Sequence, residues 1–279
     1  MGEEIRIYLD ILLDKEVILL LVAFIWSVFW ITAKPSNDRD WIKGHGVLSY
    51  SKIKGNNVKI FNIRDFKYRS LVDFDENYIN TEFNLNKIKK VHYVVVPFGK
   101  RINLAHTFLS FEFEDDKFMS ISIEIRRKVG DEKVLFKTLV KRYEIIYIIG
   151  TEDDLVRLRS DFRKDSVYIY PTNTSKEDAK LLFLDMLNRA NKLSKTPEFY
   201  NMITNNCTTN IVKHINKIKA WCIPFSIEMI LPGNSDKIAY NLGFIDGKFS
   251  FNETQNKFLV NKRAKKSASD LNFSRMIRG

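Results

Sequence analysis

Ala105-His106-Thr107-Phe108-Leu109-Ser110-Phe111-Glu112-Phe113, a polar Glu114-Asp115-Asp116-Lys117, and Phe118-Met119-Ser120-Ile121-Ser122-Ile123-Glu124-Ile125-Arg126 follow one another without a break. Two β-prone runs around a short charged turn predict a hairpin, with strands over roughly His106–Glu112 and Phe118–Arg126. Side chains alternate along a strand. His106, Phe108, Ser110 and Glu112 therefore share one face, as do Ser120, Ser122 and Glu124. Such a hairpin can set Ser122 or Glu124 opposite His106.

Further strands are expected on either side. The pattern turns strand-like from Val47, Val58–Arg64 partly alternates, and Val91–Pro97 is an apolar run suited to a buried strand. Tyr143–Gly150 and Ser166–Tyr170 read as later strands. Ser175-Lys176-Glu177-Asp178 opens a helix with a capping-box-like pattern, and Ala179, Leu182, Phe183, Met186, Leu187 and Ala190 have helical spacing. A second helix begins near Cys207, with Ile211, Val212, Ile215 and Ile218 as its buried stripe. Strands followed by helices suggest an α+β domain.

The 279 residues, 45% apolar and 13% aromatic, suffice for a substantial core. The net charge of +11 is uneven: Lys248–Gly279 has eight Lys and Arg against Glu253 and Asp270. With Lys262-Arg263-Ala264-Lys265-Lys266 and no apolar periodicity, residues 247–279 read as a mobile basic tail, solvated or in contact with anionic lipid. Nucleic acid is not an expected partner, since no zinc-finger spacing, RNP motif or basic recognition helix occurs. Metal and cofactor fingerprints are also missing: there is no C-x-x-C, H-E-x-x-H, calcium loop, P-loop or dinucleotide motif. Of two cysteines, Cys222 reads as an ordinary buried residue, and a Cys207–Cys222 disulfide would staple only a short stretch.

Val17–Ala33 carries no charge and is almost wholly apolar, at the short end of what crosses a bilayer. Trp26 and Trp30 fall where an interfacial aromatic belt would lie. The preceding stretch is acidic and no A-x-A-like site follows, so an uncleaved single-pass anchor is expected over residues 1–34 rather than a signal peptide. Lys34-Pro35-Ser36-Asn37-Asp38 then breaks the helix.

The chemistry centres on Asn205-Asn206-Cys207-Thr208-Thr209-Asn210. A thiol at a helix N-terminus feels the positive end of the dipole, which favours the nucleophilic thiolate. A neutral imidazole nearby could take its proton. Among the four histidines, His214 would lie roughly 10 Å along the same helix face, His92 starts an apolar strand, and His45 sits in a Gly-flanked loop with no assigned role. His106 is the expected partner.

These residues resemble the N-terminal periplasmic domain of the Lnb-type bacterial lipoprotein N-acyltransferases. The resemblance rests on Ser36–Trp41, Asn62–Ser70, Ala105–Phe111, Ser122–Arg127, Pro197–Asn201, Asn205–Asn210 and Leu231–Gly233, in order from about residue 35 to 246. It implies a permuted papain-like (NlpC/P60-like) domain in which histidine precedes cysteine, with an antiparallel sheet and helices. It also implies Cys207 as nucleophile, His106 as general base and acid, and Glu124, with Ser122 behind it, as the group that orients the imidazole. The Cys207 N–H and the Asn206 amide become candidate oxyanion donors, with plain helix capping as the other reading of Asn206. Arg64, Tyr68 and Arg69 become candidate holders of a lipid phosphate, or else an internal ion-pair network. The resemblance implies a bacterial inner-membrane protein whose domain faces the periplasm and moves an acyl chain from a phospholipid to a lipoprotein amine. A hydrolase using the same site, or a non-enzymatic envelope binding module, are the competing readings.

Overall fold

The computed structural model describes residues 15–99, 103–131, 135–219, 222–267 and 272–278. The chain divides into two units, residues 1–35 and 36–279. The first contains helix α1 (Lys15–Thr32), with Leu19 and Leu20 about two-thirds exposed. Among the described residues no helix is long and apolar enough to cross a membrane. The 18 residues of α1 rise only about 27 Å, and its first two, Lys15 and Glu16, are charged. The expected spanning anchor at Val17–Ala33 therefore rests on the sequence alone. The side chains of Trp26 and Trp30, the expected belt, lie outside the described residues.

The second unit is α+β. Its strands are β1 (Tyr50–Lys54), β2 (Asn57–Arg64), β3 (Lys67–Tyr68), β4 (Phe74–Asp75), β5 (Tyr78–Asn84), β6 (Ile88–Pro97), β7 (Ala105–Phe113), β8 (Phe118–Arg126), β9 (Glu144–Gly150) and β10 (Tyr168–Pro171). The main sheet runs β1-β2-β9-β8-β7-β6-β10, with β5 also paired to β2, while β3 and β4 form a separate ribbon. The sheet is mixed, which corrects the antiparallel expectation: Arg64 of β2 pairs in parallel with Gly150 of β9. That junction is tight, since a Cβ on Gly150 would press on Arg64 O and Leu155.

The expected hairpin forms at β7–β8, with Phe108 opposite Ser122 and the turn closed by Phe113 N–H on Lys117 O. Both strands lie in the middle of the sheet, so helices cover both faces. On one face sit α3 (Lys176–Lys195), N-capped by Ser175, and α4 (Cys207–Ile218). The apolar stripe of α3, with Phe183, Met186 and Leu187, packs into one cluster with Leu109, Phe111, Ile121 and Ile123. α2 (Glu152–Arg157) and the last part of the chain, through Val260, Ala264, Phe273 and Ile277, cover the other face.

The expected mobile tail is corrected. After α5 (Ser235–Asn241), helices α6 (Phe251–Phe258), α7 (Asn261–Lys266) and α8 (Phe273–Met276) form, and Val260, Ala264, Phe273 and Ile277 are buried against Val94, Phe108 and Val156. Arg278 makes two hydrogen bonds to the buried Glu152, at 2.6 and 2.7 Å, and lies over the Phe118 ring. Apolar residues a turn or more apart on three short helices leave no continuous helical period, so the segment looked unstructured.

Candidate active site

Asn205–Asn210 folds as a self-braced turn into α4. Asn206 is the N-cap: its Oδ1 accepts from Thr209 N–H (2.7 Å), while Thr209 Oγ1 accepts from Asn206 N–H (2.8 Å), a reciprocal capping box. Asn205 donates to Phe199 O, and Asn210 donates to Asn205 Oδ1 and Asn206 O. Every asparagine of the motif is thus used in holding the backbone that presents Cys207 at the first helical position. The two amide hydrogens of Asn206 go to Met202 O (2.6 Å) and Met229 O (2.8 Å). The expected oxyanion role of this side chain is therefore corrected to capping and loop bracing.

His106 is ordered by hydroxyl and carboxylate in series. Its Nε2 lies 2.7 Å from Ser122 Oγ, and Ser122 Oγ donates to Glu124 Oε1 at 2.8 Å. An ionised carboxylate only accepts, so the Ser122 proton points to Glu124 and the hydroxyl accepts from His106 Nε2–H. This fixes the tautomer and leaves the Nδ1 lone pair for the cleft. The expected order of the two is reversed: Ser122 touches the ring, and Glu124 stands behind it, 3.8 Å from Nε2. Arg159 closes the series, donating from Nη2 to Glu124 (2.7 Å) and from Nη1 to Leu155 O (2.6 Å), over the Phe108 ring. Burial works against ionisation of Glu124, and the neighbouring charges, Arg159 foremost with Arg64 and Arg163, together outweigh it and hold the carboxyl well below its usual range. Burial, with Arg159 and Arg163 nearby, lowers His106 to about 3, so the imidazole is neutral.

Cys207 and His106 line one cleft of about 460 Å³, together with His45, Arg127, Arg163 and Tyr200. They reach it from different sides of the sheet. Alternation along β7 puts His106 with Phe108, ring centroids 5.7 Å apart, on the α2 face. Thr107 faces α4, where its hydroxyl meets Thr208 Oγ1 at 3.0 Å. The cleft opens at the ends of β7 and β8 and takes Ala105, Ile123 and Ile125 from one face and His106, Glu124 and Arg159 from the other. Among the described residues the thiol lies 3.8 Å from Thr208 Oγ1, and no hydrogen bond joins Sγ to the imidazole.

Sequence reasoning passed over three cleft residues. Arg159 lies in a π-helical turn, Leu158–Phe162, closed by Arg163 N–H on Leu158 O; such a turn leaves no compositional trace. Burial, with Cys207 beside it, raises Tyr200 well above its ordinary range. His45 is held by Arg127 N–H on Nδ1 (3.0 Å) and by Arg126 on its carbonyl (2.8 Å), and burial lowers it to about 3.

The remaining candidates lie elsewhere. Arg64 is buried in a two-bond pair with Asp154 (2.8 Å each), and Tyr68 donates to the same carboxylate at 3.1 Å. Arg69 pairs with Asp73 and Asp75 on the surface. Arg64 and Tyr68 thus belong to an internal network around Asp154 and Arg69 to a separate surface ion-pair cluster, which corrects the phosphate-site expectation. His214 pairs with Asp185 (2.6 Å) and lies 2.9 Å from the Tyr147 hydroxyl, while His92 pairs with Glu112 (2.9 Å). Both cysteines are free, and Cys222 is exposed rather than buried.

Two of these histidines make acid stability testable. His45 and His106 titrate near 6.5 when unfolded and near 3 when folded. Their contribution is full above pH 6.5 and is lost as pH falls towards 3, at about 1.4 kcal/mol per pH unit for each. The urea midpoint should therefore fall between pH 7 and pH 4.5, and less steeply in His106→Asn. A flat wild-type midpoint over this range would show that the two are not buried neutral.

A central hairpin thus bears an ordered imidazole, a capped helix bears a free thiol, and both residues line one cleft. Residues 74–232 match the Lnb N-terminal periplasmic domain, more than half of the chain, and the protein belongs to that family. The matched span contains Cys207, His106, Ser122 and Glu124, whereas Arg64, Tyr68 and Arg69 precede it. No curated protein and no solved structure matches the chain.

Proposed function

We propose that this protein is a cysteine acyltransferase that moves an acyl chain from a lipid ester, through an S-acyl intermediate on Cys207, to the N-terminal amine of a lipoprotein. The observation that carries the reading is the ordered His106–Ser122–Glu124–Arg159 series, which leaves a neutral imidazole opening on the same cleft as a thiol at a helix N-terminus. Family membership supports the periplasmic setting. The apolar Val17–Ala33 segment supports a single-pass anchor over residues 1–34, ahead of a permuted papain-like domain over 35–246. Val260, Ala264, Phe273 and Ile277 of the C-terminal segment pack onto that domain.

The thiol proton passes to Nδ1 of His106, across the open end of the sheet, through one water or by closure of the cleft around substrate. Sγ bonds to the ester carbonyl carbon, and the oxyanion is met by the Cys207 N–H and the Tyr200 hydroxyl. Collapse breaks the ester C–O bond, and the departing alkoxide takes the proton from Nδ1. The acceptor amine then attacks the thioester carbonyl and gives a proton to Nδ1. Breaking the C–S bond releases the amide, and the thiolate regains that proton.

A synthetic lipopeptide with a free α-amine tests transfer directly. Its N-acylation, followed by mass spectrometry, supports the reading. Release of free fatty acid with no acylated peptide would replace the transferase by a hydrolase. Ser122→Ala should slow Cys207 acylation by up to about 10²-fold, because the imidazole loses the bond that sets its tautomer. An unchanged acylation rate would remove Ser122 from the site.

A further inference from the structure

A second cavity runs along α4 beside the cleft. The helix stripe expected to be wholly buried is not: Ile211 is, whereas Val212, Ile215 and Ile218 are half-buried. They line a groove whose other walls include Val91, Leu109, Ile238 and Ile245. Lys219 and Glu228 are the charged residues on its lining, and Lys219 is paired with Asp178. The rest of its lining is largely aliphatic, with Val91, Leu109, Leu182, Ile238 and Ile245 among it, which suits an alkyl chain better than a charged group.

Its position relative to the thiol is the informative point. Neighbouring residues divide between the two cavities: Cys207 lines the cleft and Thr208 the groove, while Ile230 lines the cleft and Met229 the groove. Along β7, Ala105 lines the cleft and Leu109 the groove, with Thr107 bonded to Thr208 between them. From Thr208 to Ile218 the helix rises about 15 Å, the length of an extended medium-length acyl chain.

We propose that this groove holds the alkyl chain of the acyl donor, with its carbonyl at Cys207. The proposal rests on the acyltransferase reading and adds where the chain lies and what measures its length. The partition at Thr208 and Met229 separates a dry site for the chain from the polar cleft, where His45, Arg127 and Arg163 stand. A site built in this way favours long-chain donors over acetyl donors.

The test compares Cys207 acylation by dodecanoyl and acetyl 4-nitrophenyl esters. In Ile215→Trp, and in Ile238→Trp on the facing wall, the dodecanoyl-to-acetyl rate ratio should fall at least tenfold. Leu181→Trp, on the exposed side of α3, should leave the ratio as it is. An unchanged ratio in both groove variants overturns the proposal. Binding of a dansyl-labelled fatty acid to Cys207→Ser separates this proposal from the catalytic one. Binding that is lost on adding Ile215→Trp supports the groove even where no acyl-enzyme forms. Failure to bind overturns it whatever the thiol does. Displacement of the probe by an amphipathic helical peptide, but not by dodecanoate, overturns it in favour of a protein partner.

Discussion

Cys207→Ser should carry no acyl adduct when purified from membranes, where the wild-type protein should carry one on Cys207. Acyl transfer should fall at least about 10³-fold, because the nucleophile is lost while the oxyanion donors and binding surfaces remain. The fold should survive. Serine is close to cysteine in size, the helix start is held by the Asn206–Thr209 capping box, and the buried thiol's hydrogen-bond contact among the described residues is a long one, to Thr208. The two outcomes are therefore separable: intact mass spectrometry reports the adduct, and an unchanged urea midpoint reports the fold. Full complementation by Cys207→Ser would leave a binding module, with the His106 series serving only to hold the hairpin.

Asp154→Ala is expected to be the most destabilising single change. Asp154 is fully buried and accepts from Arg64 Nε and Nη2, from Phe66 N–H (3.0 Å) and from the Tyr68 hydroxyl. Removing it strands a guanidinium, an amide and a phenol in the interior. Breaking a buried pair in this way costs about 3–5 kcal/mol, a large part of a typical domain's stability. The effect should appear as a lowered urea midpoint with little change in slope. The same variant decides the role of Arg64. A ligand-holding arginine would tolerate the change in the absence of ligand, so a stable Asp154→Ala protein would reopen the phosphate reading.

The hairpin and the helix carrying the cysteine were legible for local reasons. Residues 105–126 alternate and carry a charged turn, and the boundaries of β8 match that pattern. Ser175 and Asn206 are capping residues placed just before apolar-periodic runs, and both cap helices. The imidazole and its orienting groups were also within reach, because residues two apart on paired strands share a face. Their order was not: whether Ser122 or Glu124 touches Nε2 depends on side-chain rotamers and on the pull of Arg159, which comes from a different element. The two readings of Asn206 and of Arg64 stayed open in the sequence for a common reason. A sequence shows what a polar side chain could bond, but not that Met202, Met229 or Asp154 has already engaged it.

By itself the sequence determined the local devices: the alternating strands, the caps, the amphipathic stripe on α3, and a thiol at a helix start with a histidine on an earlier strand. These follow from chemistry within a few residues of each other. Only the tertiary structure decided that Val260, Ala264, Phe273 and Ile277 close the far face of the sheet, that Cys207 and His106 approach one cleft from its two sides, and that the α4 stripe walls a groove instead of vanishing into the core. Those outcomes depend on which elements end up side by side, and packing between segments a hundred residues apart leaves no periodic trace in the chain.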